Sequence, residues 1–129
     1  MSTIQKSVET ERLCSSIFTV NKNIQSVTII NKNGRPIENM TRESTYIIPY
    51  KENEMLLMQC ALTISMGRDF DECFGQIGYT FVARKNLSMF SFPIDDNVIL
   101  VTCKANISPI SIARKIMIAI NENNTVHSS

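Results

Sequence analysis

The residues of this chain that could do chemistry are few and far apart. Its single histidine, His127, stands close to the end of the sequence, where 122–129 reads as a frayed tail. Neither a Ser/His/Asp nor a Cys/His arrangement therefore has an ordered base to draw on. Cys14, Cys60, Cys73 and Cys103 form no CxxC pair. Three of them lie in apolar stretches and read as buried reduced thiols, neither disulfides nor a zinc set. The acidic "DFDE" at 69–72 lacks the ligand positions and the glycine of a calcium loop and reads as a solvated helix exit. Gly67, Gly75 and Gly78 are followed by no Gly-Lys-Ser/Thr, so they make no phosphate loop and read as a stop signal and close packing. No catalytic residue, metal ligand or cofactor site is expected, and the chain reads as non-enzymatic.

One loop keeps a ligand reading open. Arg42, Glu43 and Thr45, with Thr41 and Ser44 beside them, gather a rigid guanidinium, a carboxylate and hydroxyls. Such a set suits a small polar or anionic ligand in a pocket under 39–50, as in a sensing domain. The plainer account of the same residues is a surface ion pair among hydroxyls. Tyr79, Phe81, Phe90 and Phe92 fall on neighbouring strands, as base-stacking aromatics do. Arg84, Lys85 and Lys104 are too sparse to frame such a surface, so these rings read as core.

Composition narrows the partners. Thirteen basic and 12 acidic residues leave a formal charge of +1 and are scattered along the chain, with no footprint for nucleic acid or an anionic membrane. No apolar run approaches a bilayer span, and "MSTIQKSVETE" has neither the basic head nor the apolar core of a signal peptide; a cytoplasmic protein is expected. A chain of 129 residues suits one domain over 1–129.

The elements that must position these residues follow from periodicity. Helices are predicted at about 4–20, 51–68 and 109–121, and strands at about 24–31, 35–38, 76–85, 87–94 and 98–107. Asn33-Gly34 predicts a tight hairpin between the first two strands, both positions tolerating positive φ. Pro36 puts the second strand at an edge, and Ser108-Pro109 caps the last helix. The stretches 39–50 and 67–75 have no clean period. Both faces of the last three strands carry apolar residues, so helices should cover the sheet on both sides. Ile77, Tyr79 and Phe81 alternate on one face and Val82 lies on the other.

The middle helix, "EMLLMQCALTISMGRDF", raises the sharpest question. At 100° per residue Leu57, Cys60, Ala61 and Ile64 share one side, whereas Met55, Met58, Leu62 and Met66, with Gln59, share another. The first set suits the sheet. Two coverings are open to the second: the 39–50 loop, or a second copy of the chain, to which unbranched methionines adapt well.

The element order, the hairpin "VTIINKNGRPI" and the helix "MLLMQCALTIS" running into "FDECFG" resemble the roadblock/LC7 family, and small archaeal proteins of that plan, over roughly residues 4–121. The resemblance implies an α/β (α+β) fold: a single five-stranded antiparallel sheet with helices on both faces, in the order α-β-β-α-β-β-β-α, two helices on one face and the middle helix on the other. It also implies a homodimer through the middle helix and the strand after it, here Met55, Met58, Gln59, Leu62, Met66, Ile77, Tyr79 and Phe81, with that strand pairing across a two-fold axis. The implied work is that of a scaffold or regulator, with a small Ras-like GTPase or another regulatory protein as partner.

Overall fold

A computed structural model describes residues 3–43 and 45–128. Helix α1 (Thr3–Phe18) leads into strands β1 (Ile24–Ile30) and β2 (Pro36–Thr41). Helix α2 (Tyr50–Gly67) runs into a 3-10 turn (Arg68–Phe70) and a short helical turn, α3 (Asp71–Phe74). Strands β3 (Thr80–Ala83), β4 (Ser88–Ile94) and β5 (Asn97–Cys103) follow as a meander, and α4 (Pro109–Ser128) ends the chain. The strands form one five-stranded sheet in the order β2-β1-β5-β4-β3, with every neighbouring pair antiparallel. Among the described residues no helix is long and apolar enough to cross a membrane.

The period-2 alternation of the strands divides the core into two layers. On one face Val27, Ile29, Phe90, Phe92, Ile99, Val101 and Cys103 meet Leu13, Cys14 and Ile17 of α1 and Ile112, Ala113, Ile116 and Ile120 of α4. On the other, Ile30, Met89, Val98 and Leu100 meet Leu57, Ala61 and Ile64 of α2. The second layer is much smaller, because α2 covers only part of its face. Beyond the helix that face carries hydroxyls that satisfy one another: Ser26 bonds Thr102, and the Asn39 side-chain amide donates to Thr28 Oγ1 at 2.8 Å.

Four elements differ from the sequence expectation. The hairpin turn places only Gly34 at positive φ, +79°, because Asn31 Oδ1 accepts from the backbone N–H of Asn33 and of Arg35 and closes the turn without a second left-handed residue. Strand β2 extends to Thr41, held by backbone pairing to β1 up to Ser26↔Thr41. Strand β3 is four residues long, since β4 pairs with it only from Ser88 to Ser91. Residues 76–79, read as strand, leave the ladder. The stretch 122–128, read as a frayed tail, continues α4, and Asn123 is buried there with its amide donating to the Ala119 carbonyl at 2.8 Å. His127 thus stands on helical backbone.

Candidate interaction surface

Helix α2 forms because the run after Pro49 is rich in Leu, Met, Ala, Gln and Glu and meets no glycine until Gly67. Its sheet-facing side is fixed by Leu57, Ala61 and Ile64. Taken at 100° per residue, Met55, Met58, Gln59, Leu62 and Met66 are centred roughly 150° from that side, on the crest of the helix. The crest is open: Met55 is 71% exposed, Met58 44%, Leu62 53% and Met66 67%. These residues line a shallow groove with Glu54 and Thr63 at its rim. The 39–50 connection does not close it, for Tyr46, Ile47 and Tyr50 are themselves exposed.

The apolar series does not stop with the helix. Continuing at four-residue spacing from Met58, Leu62 and Met66, it reaches Phe70 and Phe74, both exposed, with their rings stacked at 6.1 Å between centroids. Spacing could have revealed these two residues. Their place in a stretch without a clean period concealed them.

The other expected interface residues are divided. Tyr79 and Phe81 turn to the α1/α4 face, where the Phe81 ring lies 4.8 Å from Phe90 and the Tyr79 ring 5.7 Å from Phe92. Ile77 packs on the opposite side, with the α2 layer. It fits there because Gly67 has no side chain: a Cβ on Gly67 would lie 2.5 Å from Ile77 Cδ1. Ile77 therefore does not share a face with Tyr79 and Phe81, as strict alternation would require. Val82, on the α2 side of the edge strand, is 46% exposed.

The loop read as a ligand site is accounted for by its own packing. Arg42 Nε donates to the Ile24 carbonyl at 3.0 Å, and the guanidinium carbon stands 4.7 Å from the centre of the Phe18 ring. The backbone N–H of Arg42 donates to Gln25, and Thr45 donates through its backbone to Arg42 and through Oγ1 to Gln25. Arg42 and Thr45 thus tie the end of β2 to β1 and α1. Glu43 is exposed, and Ser44 lies outside the described residues.

The remaining polar chemistry is modest. Cys14 and Cys103 are fully buried in the larger core layer. Burial pushes both thiols up to about 12, with the nearby Glu38 charge adding to the effect at Cys14. Burial also raises Cys60. Cys73 is exposed on α3. The "DFDE" segment is less open than expected: Asp71 Oδ1 is buried and unpartnered beside a cavity of about 340 Å³ that Arg68 crosses to donate to the Asp95 carbonyl at 2.7 Å. Among the described residues no group of three or more His, Cys, Asp or Glu could hold a metal ion.

No protein-family model matches the chain, and no curated protein matches its sequence. Solved structures do match it. A roadblock/LC7 domain from Streptomyces avermitilis superposes with a TM-score of 0.67 at 11% identity, covering 91% of this chain and 96% of that one. MglB of Myxococcus xanthus gives 0.64 at 16% identity over 99% and 98%. An MglB in a tetrameric arrangement gives 0.66 at 7% identity over 92% and 82%. The chain has the roadblock/LC7 fold.

Proposed function

We propose that this protein is a non-enzymatic scaffold or regulator that works as a homodimer and acts on a small Ras-like GTPase or another regulatory protein. The observation that carries the reading is the uncovered crest of α2. A run from Met55 to Gly67 without a charged residue, open along one whole side, is unlike the surface of a solitary domain. Homodimer interfaces have such uncharged, Met-rich centres. A structural neighbour that forms a tetrameric arrangement supports self-association, and the shared fold supports the regulatory role. The open edge of β3 is a second surface available to the same pairing.

Sedimentation at micromolar concentration tests the dimer. Wild type is expected to sediment as a dimer and Leu62→Glu as a monomer, because two carboxylates would otherwise be buried unpaired across the interface. A monomeric wild type overturns the reading. For the partner, affinity capture with the wild-type dimer should return a small GTPase or another regulatory protein, and a metabolic enzyme as the specific partner would overturn that part.

A further inference from the structure

The α2 crest alone is small for a stable pair. Its four apolar side chains, roughly half to three-quarters exposed, offer on the order of 400 Å², against the ~800 Å² that each partner of a specific interface contributes. Strand β3, four residues long, adds little. Five more exposed side chains flank the crest: Tyr46, Ile47 and Tyr50, the first residue of α2, ahead of it, and Phe70 and Phe74 beyond it. Between 58% and 84% exposed, they bring on the order of 700 Å² more and lift the total past the requirement.

Their positions along the chain are as informative as their area. The crest is close to palindromic about the Cys60–Ala61 peptide: Met55 mirrors Met66, and Met58 mirrors Leu62 to within one residue. The flanks fall close to the same centre, Ile47 mirroring Phe74 and Tyr50 mirroring Phe70 to within one residue. At 1.5 Å per residue Tyr50 and Phe70 each lie about 15 Å along the axis from that centre, on opposite sides. A two-fold axis across the helix there sets two copies antiparallel and brings the leading flank of one level with the trailing flank of the other.

We propose that Phe70 and Phe74 of one copy pack on Tyr46, Ile47 and Tyr50 of the other, so that an aromatic cluster closes each end of the paired α2 helices. This rests on the reading that a second copy covers α2. It goes beyond that reading by assigning a task to the two irregular segments on either side of the helix.

Cys73, exposed beside Phe74, is a native reporter. In the full-length chain carrying Ile47→Cys, a short bis-maleimide cross-linker should join position 47 of one copy to Cys73 of the other, as mapped by mass spectrometry of the linked peptide. Wild type should give no Cys73–Cys73 link. Phe74→Ser should raise the dimer dissociation constant by roughly tenfold or more while leaving the far-ultraviolet circular dichroism unchanged. A Cys73–Cys73 link would show parallel helices and overturn the proposal. So would a Phe74→Ser protein that dimerises as tightly as wild type while Leu62→Glu is monomeric, an outcome that leaves the dimer itself standing.

Discussion

Gly34 of the β1–β2 turn sits directly on Met58 of α2: a Cβ at Gly34 would lie 2.9 Å from Met58 Sδ and 3.1 Å from its Cα. The missing side chain therefore serves two ends. It permits the φ of +79° that the turn needs, and it lets the hairpin support the middle of the helix whose crest is the proposed interface. Gly34→Ala meets backbone as well as a movable sulfur and keeps an unfavourable φ. It should lower stability by about 1–3 kcal/mol, read from urea denaturation. A neutral effect would show that the turn and helix are not in contact.

Arg42 should prove structural. Arg42→Ala removes the bond to the Ile24 carbonyl and the stacking on Phe18, together worth about 1–2 kcal/mol. The loss should appear in thermal unfolding, with the dimer unaffected. Arg42→Lys should recover only part of it, since an ammonium cannot keep both contacts in one plane.

The buried thiols set an alkaline limit. With folded values near 12 and the ordinary thiol value of 9.0, Cys14 and Cys103 favour the folded state fully below about pH 9. Above it the unfolded chain binds fewer protons than the folded one, so this contribution falls as pH rises from 9 towards 12. The double variant Cys14→Ala, Cys103→Ala should show a shallower loss of stability between pH 9 and 11 than wild type does. At neutral pH a disulfide-exchange reagent should modify Cys73 at once and these two only on unfolding.

Much of this was legible in the sequence, and the reasons are specific. Ile99, Val101 and Cys103 separate from Val98 and Leu100 as alternation demands, because β5 is the central strand and both its faces are buried. The outer placement of Pro36 followed from its missing N–H, and the crest of α2 from helical angle alone. Residues 76–79 misled because Ile77 and Tyr79 are strand-forming types, and side-chain type does not reveal that the pairing with β4 stops at Ser91 although β4 runs on to Ile94. The contact that decides the matter, Ile77 on Gly67, is tertiary. Strand β2 was read short for the converse reason: Asn39 and Thr41 look like loop residues, and backbone pairing to β1 holds them. The extra turns of α4 were hidden in a polar stretch that includes a buried asparagine, Asn123.

Leu57 and Leu62 separate folding from assembly on one helix. They are the same residue type five positions apart, Leu57 at 3% exposure against the sheet and Leu62 at 53% on the crest. Leu57→Ala leaves a cavity between α2 and Ile30, Val98 and Leu100, a layer too small to refill it, and should cost about 2–5 kcal/mol. Leu62→Ala removes a side chain that the single chain leaves more than half exposed and should change the stability of the monomer by no more than about 0.5 kcal/mol. In the dimer the order changes. Where a folded pair resists unfolding by mass action, the midpoint of thermal unfolding rises with protein concentration. Wild type and Leu57→Ala should both show that rise, the latter from a lower start, whereas Leu62→Ala should shift it to higher concentrations. Measuring the midpoint across a hundredfold dilution series for the three proteins decides the point. Equal concentration dependence in wild type and Leu62→Ala would place the pairing surface elsewhere than the α2 crest.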